Sequence, residues 1–590
     1  MKIRLFLRVG VIGLILYSIL ISSCSESDKT VSTVTLEEEG TGEVYFVKYD
    51  GGDTVLRYTH NLGSSPKDVF FVFTNAGSSN SNSTISVIGN QTTNQSPQTS
   101  TFSKDFPIGQ ASGFSVEAKT RLRDRPELIQ LDLPLITLGE ESGQRVSQLI
   151  QTDRQSATLG SSQSFLDWDF NRNTQVSVTA TLRKIIDVST DVVLNLWVAD
   201  NAWDSCSKKF CMTSDKLNAF GEKFLKSGSD NDIYEWVTNI FGAPWGTHSN
   251  SAYISASAAG EIDILFYDID ADNSDDGGVL GFFWPKDNAI RDSSDTTNYT
   301  NISNERLMFY IDSVMAANPQ DILDQSGAGD STWDITDEMP AEMVATLAHE
   351  FQHMIHFYQK TMIRAGSSSE TWLNEMCSLV TEDLVADKIM ANGPRGTAYD
   401  TYSAGSSGNS SGRLPWFNSI NYYGLIDWYS GSAVYYSYAT SYAFGAYIAR
   451  NYGGAGLFQK IIQNSYTDET AVTRALSDMG HDLSFADLLK RWGVAVLLSG
   501  DTTASSGYQY NSGNSFVSTL DSVTYELGSI NLYYYSPLPA ITESSSFAVS
   551  SMYKTSNRYF KVGSEMTNSG TWTISMPSGV KLTVVTRDSD

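Results

Sequence analysis

Apolar positions in this chain repeat first at every second residue, then at every third or fourth, and then at every second again. In the N-terminal third, Val44–Tyr49, Val55–Tyr58 and Asp68–Phe73 are short runs of β-branched and aromatic residues between Gly, Asn and Ser turns. Gln175–Ile186 and Val192–Ala199 resume the pattern. These runs predict an all-β, sandwich-like region over residues 41–198, with a loop at the Ser/Asn/Thr/Gln-rich tract Ser78–Ser103. Leu217–Leu225 and Asp232–Phe241 read as helices. Glu261–Tyr267, Val279–Trp284 and Arg306–Ile311 read as strands of a small sheet. Val344, Leu347, Phe351, Met354 and Tyr358 then recur at helical steps, with Pro340 where a first turn tolerates proline. A second helix runs to about Met390, and Gly393–Ser411 is a Gly/Ser-rich loop suited to the rim of a site. Another helix, through Tyr435–Tyr447, stops at Gly453-Gly454, and Leu457–Asn464, Glu469–Met479 and Phe485–Leu498 complete a helical half. Phe516–Thr524, Ser546–Tyr553, Tyr559–Val562, Thr571–Ser575 and Lys581–Thr586 predict a second β-rich region over 500–590.

Length and charge narrow the reading. A chain of 590 residues exceeds what one hydrophobic core holds, so several domains are expected. Its 67 acidic and 40 basic residues give a net charge of −27, which repels phosphate backbones, so no nucleic-acid partner is expected. Residues 1–23 read as an export signal: Lys2, Arg4 and Arg8, then the apolar run Val9–Ile21, too short for a membrane span. The run ends Leu20-Ile21-Ser22-Ser23-Cys24, which resembles a bacterial lipoprotein signal. Cleavage before Cys24 would leave a lipidated cysteine, make the lipid bilayer a partner and turn residues 24–40 into a tether; an ordinary secretory leader is the alternative.

Outside the cytoplasm, Cys206 and Cys211 predict a local disulfide, leaving Cys377 as a buried thiol. Asp268, Asp270, Asp272, Asp275 and Asp276 crowd one loop, and calcium (Ca2+) is the cation such a loop would take, with a solvated turn as the alternative. It is no EF-hand: Asn273 stands where that loop needs glycine and Val279 where it needs glutamate.

The chemistry centres on Thr346-Leu347-Ala348-His349-Glu350-Phe351-Gln352-His353. Two histidines four apart on a helix share one face and reach one metal ion, and Glu350 is placed to act as general base on a water at the open position. Such a site needs a third protein ligand. Glu375 follows 22 positions after His353, in Trp372-Leu373-Asn374-Glu375, far enough for a second helix to come alongside. His356 lies on nearly the same face as His349. Three ligands from one straight helix would span roughly 10 Å of rise, too far for one ion, so a packing or supporting role suits it better. Glu382 and Asp383 fit supporting or surface roles.

This pattern resembles the gluzincin metallopeptidases, and residues 200–493 more closely resemble the hyicolysin-type bacterial metallopeptidases. That resemblance implies zinc (Zn2+) held by His349, His353 and Glu375, with Glu350 as the base. It implies an α+β zincin-like catalytic domain over 199–499, flanked in a multidomain chain by the N-terminal and C-terminal all-β regions read from the residue pattern. It also implies a protein or peptide substrate, bound as an added strand at a sheet edge near Gly281–Trp284, and a downstream oxyanion donor. Tyr438 is the first candidate for that donor, Tyr442 the second, and His481 is disfavoured. Leu379 departs from the thermolysin-like form, which has an aspartate there. The expected function is an exported zinc metalloendopeptidase. An aminopeptidase would need an amine-capturing acidic motif, and none is found. A surface adhesin or binding protein on an inactive peptidase fold is the alternative from another class.

Overall fold

Strand-forming sequence from the two ends of the chain pairs with itself. The computed structural model describes residues 44–49, 55–90, 158–319 and 332–589, apart from 171, 189–191 and 276, with short strands at Val31–Ser32, Leu36–Glu38 and Arg121–Leu122. The export signal, Cys24 and Asp276 lie outside the described residues.

In chain order the strands used below are β1 Val44–Val47, β2 Val55–Asn75, β3 Ile85–Asn90, β4 Ser162–Asp169, β5 Thr174–Asp187, β6 Val193–Ala199, β7 Glu261–Tyr267, β8 Gly281–Phe283, β9 Met308–Asp312, β10 Ser546–Val549, β11 Ser556–Ser575 and β12 Val580–Asp588. A nine-stranded sheet has the path β10-β3-β11-β2-β12-β1 and then Leu36–Glu38. β12 lies between β2 and β1, with Val584 opposite both Phe71 and Tyr45. Tyr58, Phe71, Phe73, Phe560 and Trp572 are buried in its core, the rings of Phe71 and Trp572 meeting edge-on at 5.2 Å.

This pairing revises the expected partition. The strands of 41–198 do not form one N-terminal unit, nor those of 500–590 a separate C-terminal one. β1 to β3 pair with the C-terminal strands, whereas β4 to β6 join the sheet that precedes the histidine helix. A period of two reports that one face of a strand is buried, but not which partner covers its edges. The polar tract also differs from expectation, since it contains β3, whose Ile85 and Val87 are buried.

The second sheet has six strands in the order β8-β9-β7-β6-β5-β4. β7 runs parallel to both β6 and β9, and β8 is the antiparallel edge strand. Helices α1 (Ser214–Phe224) and α2 (Ile233–Phe241) follow β6. Helix α3 (Glu338–His356) carries the two histidines. It packs against β8 and β9 on one side and α2 and α4 (Thr371–Ile389) on others, so every residue from Met343 to His356 is buried. The apolar stripe marks only one face of α3; the structure encloses the opposite face as well. After His356 the helix loosens into π-helical turns over Phe357–Ala365 and stops at Gly366, whose φ of 72° is left-handed.

Helix α5 (Val434–Asn451) lies on α4, and Gly445 allows the contact. A Cβ there would stand 2.6 Å from Val380 Cγ2 and 2.8 Å from Met376 Cγ. Helix α6 (Gly454–Ile462) follows. The hairpin Phe516–Leu520 with Val523–Leu527 forms its own two-stranded sheet against α6 and α4, so the C-terminal region begins inside the helical half. The whole is a mixed α+β architecture with several sheets.

Candidate metal centre

Burying α3 on all sides places its polar side chains where water cannot serve them, so each needs an internal partner. His349 and His353 are at most 1% exposed, and their rings lie 4.8 Å apart. His349 Nδ1 is 2.7 Å from Glu382 Oε1 on α4. His353 Nδ1 is 3.0 Å from Asn374 Oδ1 and 3.1 Å from Ser378 Oγ. With a carboxylate and an amide oxygen as acceptors, each ring donates from Nδ1 and carries its lone pair on Nε2. Both Nε2 atoms face Glu375, at 3.4 Å and 3.7 Å from its Oε2.

Those separations are the test of whether a metal fits. Ligands about 2.1 Å from a tetrahedral zinc stand roughly 3.4 Å from one another. Among the described residues, His349, His353 and Glu375 form the one group of at least three such side chains whose donor atoms lie within 4.8 Å of one another. Glu350, also fully buried, stands next to His349 on α3, and Glu375 and Glu382 are fully buried on α4. Several carboxylates buried together carry a large desolvation cost, which a divalent cation would offset. The donor set, its spacing and its charge fit zinc.

The remaining sequence candidates fall in different places. His356 is buried, with Nε2 2.8 Å from Ser369 Oγ. Burial first, then Lys360 and His353, holds its pKa well below the usual imidazole value, so it sits neutral and packed. Tyr438 is fully buried on α5, edge-on to Trp428 at 5.1 Å and with the Arg413 guanidinium 5.2 Å from its ring centre. Tyr442, one turn on, donates from its hydroxyl to Asp383 Oδ2 at 3.1 Å. His481 lies against the Tyr452 ring. Cys206 and Cys211 form a disulfide with a Cα separation of 5.8 Å. Cys377 is a buried thiol whose pKa burial pushes up to about 12. Lys208 and Lys209, inside the disulfide loop, pair with Asp268 and Asp275 of the acidic loop and supply countercharge there.

Sequence reasoning assigned no role to Asn374, although it directly precedes Glu375. It left Glu382 between a supporting and a surface position. The available signal was spacing: Glu382 is seven residues after Glu375, two turns along one face of α4. With Leu379 in place of an aspartate, the carboxylate that orients His349 comes from Glu382, one turn further on.

The Peptidase M30 family model matches residues 174–587, from β5 through most of β12. The neutral metalloprotease ShpI of Staphylococcus hyicus is 25% identical over 306 residues, covering 51% of this chain and 56% of that protein. The match thus spans little more than half the relative's length. With most of its residues inside the family match, the chain belongs to the Peptidase M30 family, the hyicolysin-type metallopeptidases.

Proposed function

We propose that this protein is an exported zinc metalloendopeptidase, anchored to a lipid bilayer through an acylated Cys24, that hydrolyses protein or peptide substrates. One observation carries the reading: two imidazole Nε2 atoms and the Glu375 carboxylate converge on one point, beside Glu350 on the same helix. His349, His353 and Glu375 would hold the zinc, which would supply a Lewis acid for the scissile carbonyl and acidify water. Glu350 takes a proton from the attacking water and delivers it to the leaving amine nitrogen. Tyr438 donates a hydrogen bond to the developing oxyanion, a contribution of about 3 kcal/mol to transition-state stabilisation. The substrate backbone adds as a strand along β8, whose Gly281 abuts Thr346 of the histidine helix. Calcium enters only at the acidic loop, where it would compete with Lys208 and Lys209.

The test is cleavage of unfolded casein by wild type and Glu350→Gln, with zinc content measured on both. Zinc in both and cleavage by wild type alone supports the peptidase and the role of Glu350. Zinc in both without cleavage favours a binding protein on an inactive peptidase fold. A well-folded wild type without zinc overturns the reading.

A further inference from the structure

Two consecutive residues of α4 face different helices. Glu382 turns to His349 on α3. Asp383 turns to α5, where its Oδ2 accepts from Arg450 Nη1 at 2.9 Å and from the Tyr442 hydroxyl at 3.1 Å. Arg450 also donates to Ala446 O at 3.1 Å, and Nε and Nη2 both reach Gly528 O, at 3.0 and 2.8 Å. Asp383 is 4% exposed, Arg450 5% and Tyr442 fully buried. Burial opposes the guanidinium's charge, and Asp383 together with Tyr442 and Tyr510 more than offsets that opposition. A buried ion pair adds little stability over apolar residues of the same volume, so stability alone does not account for this arrangement.

What the arrangement does supply is register. Arg450 is held by Nε and Nη2 on the Gly528 carbonyl, so its Nη1 meets Asp383 Oδ2 as a single donor in a fixed direction. Turning or sliding α4 would withdraw Asp383 from it, and Glu382, the preceding residue, moves with Asp383. The clasp also reaches outside the helices. Gly528 directly follows the hairpin strand Val523–Leu527, and its backbone is held between two buried guanidiniums. Arg450 bonds its carbonyl, and Arg395 has its Cζ 2.5 Å from where a Cβ would stand. Arg395 is itself fixed by the carbonyls of Ser403, Thr401 and Ser529.

We propose that Arg450, Asp383 and Tyr442 are positioning residues for the metal centre. They set the rotation and height of α4, and through it the reach of Glu375 and the contact of Glu382 with His349. Gly528 ties that register to the C-terminal hairpin. The proposal rests on His349, His353 and Glu375 holding zinc.

The experiment uses the full chain as wild type, Asp383→Asn, Arg450→Lys, Tyr442→Phe and Gly528→Ala. Zinc affinity is read by chelator competition, ligand geometry by the visible spectrum of the cobalt(II)-substituted protein, and casein cleavage as kcat and KM. Asp383→Asn and Gly528→Ala are expected to weaken zinc on the order of ten-fold. They are also expected to alter the cobalt spectrum and lower kcat with little change in KM. Arg450→Lys keeps the charge without the fork and falls between these and wild type. Zinc affinity and cobalt spectra equal to wild type in Asp383→Asn and Gly528→Ala would overturn the proposal, whatever happens to their unfolding temperatures. Should Asp383→Asn fail to fold, Tyr442→Phe, which removes one hydrogen bond from the same carboxylate, decides by its cobalt spectrum. A wild type that binds zinc without cleaving casein sinks the peptidase reading alone, since metal affinity and cobalt spectra still test the clasp. A wild type without zinc sinks both.

Discussion

Glu382 Oε1 stands 2.7 Å from His349 Nδ1, joining residues 33 positions apart on two helices. The contact fixes which ring nitrogen bears the proton and which faces Glu375. Glu382→Gln preserves size and a hydrogen-bond acceptor but removes the charge. It is expected to weaken zinc about 10- to 100-fold while the fold is kept. Chelator competition beside a circular dichroism spectrum checks this, and unchanged zinc affinity would refute the orienting role.

Removing zinc should cost stability as well as activity. Without the ion, Glu350, Glu375 and Glu382 remain buried together. Zinc at about 100 times its dissociation constant adds roughly 2.7 kcal/mol to the folded state. Thermal unfolding of chelator-treated protein should therefore shift upward on titration with zinc, and casein cleavage should return in parallel. Recovery of cleavage with magnesium alone would count against the imidazole-rich donor set.

Gly281 sits where the edge strand meets the histidine helix. A Cβ there would lie 2.7 Å from Tyr310 O and 2.9 Å from Thr346 Cγ2. Gly281→Ala is expected to push β8 off α3 and to cost about 1–3 kcal/mol of stability. Because the proposed substrate pairs with β8, kcat/KM should fall as well. Urea unfolding and casein kinetics on one preparation test both halves.

Lys360 offers a pH test. Its side chain is fully buried, and its Nζ donates to Ile461 O, Asn464 O and Asn464 Oδ1 at 2.5, 2.9 and 3.0 Å. Burial lowers its pKa from 10.5 to about 7. Between those values the unfolded chain holds the proton and the folded chain releases it, so this group's contribution to stability rises with pH. Below about 7 both states are charged and the full penalty of burying the ammonium stands. The unfolding free energy of wild type minus that of Lys360→Met should therefore grow between pH 7 and pH 10. A difference that stays flat across that range would refute the assignment.

The residues that converge here were legible because their chemistry is written locally. His349, Glu350 and His353 lie on one helical face, and Glu375 sits in a short segment one helix later. Glu382 was less legible, since spacing put it on a face of α4 without saying which helix that face would meet. Arg450 and Gly528 were not legible at all: their contacts with Asp383 and Arg395 cross from one element to another. The same limit explains the domain boundary. β5 and β2 have the same alternating signature, yet one pairs beside β6 and the other beside β12. Tyr438 stood out only weakly among 30 tyrosines, many of which pack in aromatic clusters.

The shared terminal sheet also has a consequence in time. Thr59 and Thr571, 512 positions apart, meet across β2 and β11 with their hydroxyl oxygens 3.0 Å apart. At elongation rates of about 5–20 residues per second the earlier strand waits roughly 25 to 100 s for the later one. During that interval β2 has neither β11 nor β12 beside it, and an edge rich in Val and Phe is a template for the wrong partner. β12, which fills the gap between β1 and β2, arrives later still. Helices α3 and α4 are made in between, so the candidate metal centre can assemble while the sheet that joins the ends is open. Newly made chains should therefore depend on a holding factor for β1 to β3, and slow translation after Asn90 should raise aggregation more than slow translation before Val44.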